Sequence, residues 1–235
     1  MAFRDRADAG RRLANRLAHL RGCDAVVLGV ACGGVPVALE VARALGMPLD
    51  VVVTERVQDP FMSGVTLGAV AEGGVSAFDN SALRRAGISP DDLVEITTGL
   101  GAEVDRRARA MRAGRAPVTC VRRTALLVDD GIATGASAWA AARVARARGA
   151  QRVVLAVPVA AADAVTSLEN EIDECVYVDS PPWMPSISRW YRHYPPTTDE
   201  EVAGILRRAG IRSPYREPRP APDAMPAPAA PARAA

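Results

Sequence analysis

Between residues 124 and 148 the chain sets out a strand, an acidic corner and a helix in an order that leaves few folds open. Ala125, Leu126, Leu127 and Val128 are an apolar run too short for a helix, which predicts a strand buried on both faces of a parallel sheet. Asp129 and Asp130 follow at once, then Gly131, Ile132, Ala133, Thr134, Gly135, Ala136 and Ser137, then an Ala-rich helical stretch over 138–148. Gly131 and Gly135 let backbone come close to a ligand. The helix start offers unpaired N–H groups and the positive end of its dipole to a phosphate. Thr134 and Ser137 add hydroxyl donors. The two carboxylates would repel a phosphate beside them, so they suit neutral hydroxyls such as those of a ribose, at about 1.5–3 kcal/mol for each charge-assisted bond. The competing reading is an ordinary strand–turn–helix connection with an acidic turn.

Other nucleotide sites fall away on residue identity alone. The sequence has no lysine, so its 29 basic residues are all arginine, and a phosphate loop of the Gly-Lys-Ser/Thr type is impossible. No G-x-G-x-x-G follows a predicted strand, which removes support for a dinucleotide site. A receiver domain in its usual form would need a lysine as well. Net charge is +2 with 24% charged residues, so nothing suggests a nucleic-acid surface. Arginines gather at 106–115 and at 143–148, and both groups read as solvated helix faces. The apolar stretches are too short for a membrane span and the start lacks an apolar signal core. Four scattered cysteines and two histidines argue against metal ligation by side chains and for a reducing cytoplasm.

Along the chain, Phe3, Leu13, Leu17 and Leu20 predict an amphipathic helix ending near Gly22. A strand over 25–30, a helix over 35–45 stopped by Gly46 and a strand over 49–54 make a right-handed crossover unit. Residues 55–74 are Gly-rich and weakly periodic, read as a mobile loop and hairpin. Ser89 caps a helix opened by Pro90, with the stripe Leu93, Ile96, Leu100 and Val104. Strands over 152–159 and 174–178 flank a helix near 161–170. Thr198-Asp199-Glu200-Glu201 is a capping box for a helix through Leu206 that ends at Gly210. Strands alternating with helices predict an α/β fold: an open, parallel, twisted sheet with helices on both faces, whose ligands bind at strand carboxyl ends. Residues 213–235, rich in Pro, Ala and Arg, read as a disordered tail.

The segment 125–137 resembles the ribose-phosphate signature of the type I phosphoribosyltransferases: four apolar residues, two acids, then Gly-x-Ala-Thr-Gly and a small residue. These enzymes join a nitrogenous base to 5-phosphoribosyl 1-diphosphate (PRPP) and release pyrophosphate. The resemblance implies that Asp129 and Asp130 bind the ribose hydroxyls, and that Ala133, Thr134, Gly135, Ala136 and Ser137, with Gly131 beside them, hold the sugar and its 5′-phosphate. It implies a second glycine turn around the pyrophosphate, matched by Ala31, Cys32, Gly33 and Gly34, often through a non-proline cis peptide. A thiol there, near a helix N-terminus, would have a lowered pKa; redox control and simple space filling both stay open.

The resemblance extends to a bacterial subgroup of stand-alone phosphoribosyltransferases through Phe3-Arg4-Asp5-Arg6, Leu67-Gly68-Ala69-Val70-Ala71-Glu72-Gly73-Gly74 and Trp190-Tyr191, covering residues 3–208. One domain over 1–212 is implied, with a small hood from about 1–22 and 180–210. Trp190, Tyr191, His193 and Tyr194 fall where the family builds its base-binding hood, either stacking a base or plugging the hood onto the sheet. The chain departs from the pattern in four places. A cation is replaced by Cys32, an Arg-Lys pair by Glu55-Arg56, mobile-loop His and Glu by Met62 and Gly64, and an acidic pair by Arg192-His193. Arg56 is the candidate to replace the missing cation in catalysis, beside Asp129 and Asp130. The implied activity is a transferase using PRPP and a small-molecule base, with Mg²⁺ arriving on the substrate. A homodimer is open, and the alternative is a catalytically weak or inactive sensor of PRPP or nucleotide.

Overall fold

The computed structural model describes residues 2–209; the expected disordered tail and the helix end at Gly210 lie outside them. Five parallel strands make the main sheet: β1 (Ala25–Val30), β2 (Leu49–Val52), β6 (Thr124–Val128), β7 (Arg152–Val159) and β8 (Glu174–Asp179), in the order β2-β1-β6-β7-β8. The order reverses between β1 and β6, where Val27 faces Leu126 and Gly29 faces Val128. The following loops diverge from that point and leave a crevice between them, the usual place for a ligand in an open parallel sheet.

Helices cover both faces. On one lie α1 (Arg6–Arg16) over β7 and β8, α2 (Gly34–Leu45) over β1, β2 and β6, and α7 (Asp199–Ala209) beside β2, burying Leu13, Leu17, Val37, Val41, Val202 and Leu206. Gly10 sits where α1 crosses α2, and a Cβ there would lie 2.7 Å from the Val37 carbonyl oxygen. The other face belongs to α5 (Ala136–Ala147), whose Ala138, Ala140, Ala141, Ala142 and Ala145 are all buried. An alanine helix is what this position demands. It lies between the main sheet and a second sheet, so most of its circumference is enclosed and larger side chains would push the layers apart.

The loop and hairpin expected at 55–74 are found as part of that second sheet, which the sequence did not show as a separate three-stranded unit. β3 (Thr54–Gln58), β4 (Thr66–Ala71) and β5 (Val75–Phe78) form an antiparallel meander. The third strand escaped the sequence because Gly68 faces Phe78 across the β4–β5 pair, in a spot where any Cβ would meet the Phe78 ring 2.5 Å away. The glycine is demanded by its cross-strand partner, and strand preference depends on such partners more than on local composition. Met62 and Gly64 sit in the connection between β3 and β4, where Asp59 Oδ1 accepts from the Phe61 and Met62 N–H groups at 2.8 and 3.0 Å. The strand expected over 49–54 is divided: β2 ends at Val52, and the chain then enters the second sheet as β3.

Behind that division lies a second correction. The arginines of 106–115, expected on a solvated face, include Arg112 at the end of α4 (Pro90–Met111), which is 4% exposed. Its Nε donates to Asp50 at 2.9 Å, and its Nη1 and Nη2 donate to Glu72 at 2.7 and 3.0 Å. Arg148, from the other cluster, approaches the same Glu72 at 2.8 Å. Glu72 also accepts from Val53 N–H at 3.0 Å, the amide left over where the chain parts from the main sheet. The network therefore fastens one sheet to the other.

The remaining helices are α3 (Asn80–Ala86), packed with α4 on the second sheet, and α6 (Ala162–Ser167). The latter is shorter than the expected 161–170. The α4 start carries the Ser89 cap, closed as a box with Asp92, and the Thr198–Glu201 box closes at the start of α7. At the other end of the sheet Phe3 pairs with Tyr191, its N–H donating to the Trp190 carbonyl at 2.9 Å. This brings the chain start against the segment after β8. Among the described residues no helix is long and apolar enough to cross a membrane.

Candidate functional site

At the reversal point the loops after β1 and β6 touch. A Cβ on Gly33 would collide with the Asp130 carboxylate, and one on Gly34 would lie 2.5 Å from the Val128 carbonyl oxygen and 2.8 Å from Asp129 Cα. Only glycine permits this approach. The Ala31–Cys32 peptide is cis, as the resemblance implied. Between the loops opens a cavity of about 330 Å³. Ala31, Cys32 and Gly33 line it from β1; Asp129, Asp130, Gly131, Ala133, Thr134, Gly135, Ala136 and Ser137 line it from β6 and the start of α5. Gly135 takes φ 82° as it turns the chain into α5, so the helix's first N–H groups face the cavity as the sequence order demands.

The two acids are held differently. Asp130 is 5% exposed, and its Oδ2 accepts from Arg6 Nε at 2.9 Å and from the Tyr194 hydroxyl at 2.7 Å. Burial alone would pull the Arg6 pKa down, but the Asp130 carboxylate outweighs it and keeps the guanidinium charged. That guanidinium also lies 3.8 Å over the Tyr194 ring and donates to the Pro195 carbonyl at 2.6 Å. Asp129 has no such cation in contact. Its Oδ1 accepts the Asp130 N–H at 2.8 Å, and burial followed by the neighbouring Asp130 charge raises its pKa well above the carboxylate range. Arg56 pulls weakly the other way. A partly buried carboxyl without a cation in contact is suited to accept a ligand hydroxyl.

The hood candidates separate. Tyr191 is 2% exposed, stacked at 5.4 Å between ring centroids on Phe3, and its hydroxyl donates to the Asp130 carbonyl at 2.6 Å. It packs the hood onto the sheet. Trp190 joins that cluster and His193 is exposed, and neither lines the cavity. Tyr194 does line it, as does Ile187, which no sequence pattern marks. Burial, then the Asp130 charge, pushes the Tyr194 hydroxyl above its ordinary range, which keeps it a donor to Asp130.

On the far side of Cys32 the structure differs from expectation. The thiol is pushed up to about 11, first by burial and next by Asp199. The helix-terminus effect is outweighed, and the thiol donates to Asp199 Oδ1 at 3.3 Å. Arg107, expected on a solvated face, instead lines the cavity. Its Nε and Nη2 grip Asp199 at 2.9 Å each, its Nη1 donates to Glu55 at 3.0 Å and its Nη2 lies 3.5 Å from Cys32 Sγ. The Arg107 fork in turn holds Asp199 below the ordinary carboxylate range. Arg56 lines the cavity too, but its charge acts on Asp129. Sequence reasoning misses Arg107 because it reaches the site from a remote helix with no local pattern to mark it, and gives Arg6 no site role although it lies in the matched opening block, because its partner Asp130 is 124 residues away.

Comparison with known proteins follows this geometry closely. The model of the phosphoribosyl transferase domain matches residues 4–186. Two strains of Mycobacterium tuberculosis carry a protein, named only provisionally as a phosphoribosyl transferase, that is 43% identical over 207 residues. The match covers 88% of this chain and 47% of theirs, so the chain spans about half the length of these curated relatives. The crystal structure of a Thermus thermophilus protein superposes with a TM-score of 0.73 at 41% identity, covering 88% of this chain and 98% of that one.

Proposed function

This chain belongs to the phosphoribosyl transferase domain family, and on that footing we propose that it transfers the 5-phosphoribosyl group of PRPP to a nitrogenous base, releasing pyrophosphate. The observation that carries the reading is the contact of two glycine-dependent loops around one acid pair. The ribose hydroxyls donate to Asp129 and to the oxygen of Asp130 that Arg6 and Tyr194 leave open. The 5′-phosphate lies on the amides and hydroxyls of 133–137. The diphosphate lies along 31–34. Bond breaking builds positive charge on the sugar and negative charge on the departing diphosphate, so fixed dipoles and cations aimed at the latter lower the barrier.

Magnesium fits this cavity as an ion carried by the substrate. Among the described residues no three His, Cys, Asp or Glu side chains converge to cage one, and Mg²⁺ commonly keeps several waters while sharing one or two carboxylates with substrate phosphates. Asp129 and Asp130 are the residues that would reach it, and the ion supplies charge neutralisation at the diphosphate. Tyr194 is the hood aromatic that lines the cavity, with its ring packed between Arg6 and Tyr191.

A second reading is favoured by one observation: Glu55, a carboxylate, lines the cavity where an anion must lie. On that reading the chain binds PRPP or a nucleotide and transfers slowly or not at all. Pyrophosphate release measured across purines and pyrimidines separates the two. Release with one base, lost in Asp129→Asn, supports transfer; Mg–PRPP raising Tm without turnover supports the sensor; no thermal response and no release refute both.

A further inference from the structure

Cys32 leaves the cis-peptide loop without a cation, and two arginines of the cavity are available to replace it. Arg56 lines the cavity but, among the described residues, makes no hydrogen bond to the loop. Arg107 alone touches Cys32, and it reaches across from α4 to do so. We propose that Arg107 is the diphosphate-binding cation of this site, and that Glu55 is the counter-ion it exchanges for diphosphate when substrate enters. The proposal rests on the phosphoribosyl reading and extends it to a residue that local sequence does not mark.

The geometry of the guanidinium supports a division of labour between its two edges. One edge, Nε and Nη2, is locked in a two-bond fork on Asp199, with both distances 2.9 Å. Such planar bidentate pairing fixes orientation as well as position. Asp199 is itself anchored at the first turn of α7, so the fork does not drift. The other edge, Nη1, carries a single bond to Glu55 at 3.0 Å. Glu55 is 46% exposed on its side chain, against 21% for Arg107. An exposed single-bond ion pair contributes little, whereas a diphosphate offers several charged oxygens to the same edge. A neutral thiol at Cys32 is small enough to let the guanidinium pass over it and touch the loop. A long cationic side chain at 32 would occupy that space.

The exchange also explains why a carboxylate can stand beside an anion site at all. With the cavity empty, Arg107 facing only Asp199 would leave a half-satisfied guanidinium beside the loop. Glu55 completes it, at the expense of competing with the ligand. The two residues therefore have opposite effects on diphosphate affinity and none on the sugar-phosphate end, which lies across the acid pair.

Calorimetric titration of the full chain with three probes tests this: Mg–PRPP, inorganic diphosphate and ribose 5-phosphate. Arg107→Gln is expected to weaken diphosphate and PRPP by about ten- to a hundredfold while leaving ribose 5-phosphate unchanged, and Arg107→Lys to recover part of the loss. Glu55→Gln is expected to tighten diphosphate by about two- to fivefold, again with ribose 5-phosphate unchanged. Because Arg107 also joins α4 to α7, melting and far-ultraviolet circular dichroism are recorded for each variant, and Glu55→Gln, at an exposed residue, gives a readout independent of that link. Equal weakening of all three probes in Arg107→Gln, or looser diphosphate binding in Glu55→Gln, overturns the proposal. If the unaltered protein binds ribose 5-phosphate but these variants leave diphosphate untouched, only the Arg107 assignment fails. If it binds none of the three, the phosphoribosyl reading fails and takes this one with it.

Discussion

Replacing Asp129 and Asp130 by asparagine, one at a time, makes the same chemical change at adjacent residues and should move stability in opposite directions. Asp129 is a carboxylate whose ionised form is disfavoured by burial and by Asp130. The amide removes that cost while its oxygen can still accept the Asp130 N–H. Asp129→Asn should therefore melt higher than the parent at neutral pH, where about 1 kcal/mol moves Tm by roughly 2–4 °C for a chain of this size. Asp130→Asn instead strips the charge from the partner of Arg6, a residue 9% exposed. Breaking a buried pair costs about 3–5 kcal/mol, reduced here because the amide oxygen can still accept and because Asp129 is relieved of its neighbour. A net loss of about 2 kcal/mol predicts a Tm roughly 4–8 °C lower. Both substitutions should weaken ribose 5-phosphate.

The pH dependence follows from the raised pKa. Below the ordinary carboxylate range Asp129 is protonated in folded and unfolded chain alike, and Asp129→Asn should equal the parent. As pH rises through the ordinary value and then the raised folded value, the parent alone carries the cost of a disfavoured charge. The gap in Tm therefore opens from acid to neutral pH. Scanning calorimetry without ligand, from about pH 4 to 8, measures it across the window the raised pKa defines. Superimposed melting curves for the two variants, or an Asp129→Asn protein less stable than the parent, would refute the account of how the acids differ.

Arg112→Met should lower Tm by roughly 6–20 °C, from about 3–5 kcal/mol for leaving Asp50 and Glu72 without their main cation; a loss under about 1 kcal/mol in chemical denaturation would show the network to be incidental. Gly33→Ala should abolish binding of Mg–PRPP in titration calorimetry, because its methyl must displace the Asp130 carboxylate, and retained affinity would mean the loops separate readily. Cys32, with its pKa near 11, should alkylate far more slowly than exposed Cys23 at neutral pH, read by mass spectrometry of iodoacetamide-treated protein; faster labelling at Cys32 would reinstate a reactive thiolate.

Much of the site was legible because its parts are contiguous. The run 125–137 contains strand, acids, loop and helix start in sequence, and each is specified by its own residues: apolar side chains for the buried strand, glycines for close approach, an unblocked helix start for an anion. The parallel sheet was legible for the same reason, since apolar strands alternating with capped helices admit few arrangements. The second sheet was legible only as a hairpin, because Gly68 is explained only by Phe78 on the third strand across the ladder. The arginines were not legible. Arg106, Arg107 and Arg112 share one helical segment and one composition, yet the first pairs on the surface with Glu103, the second enters the cavity and the third is buried between sheets. A guanidinium's role depends on which carboxylates stand around it: Arg106 finds Glu103 on its own helix, while the partners of Arg107 and Arg112 come from β2, β3, α7 and the turn after β4. Short-range chemistry is therefore written in the chain itself, while the partners of Arg107 and Arg112 exist only once distant elements are brought together.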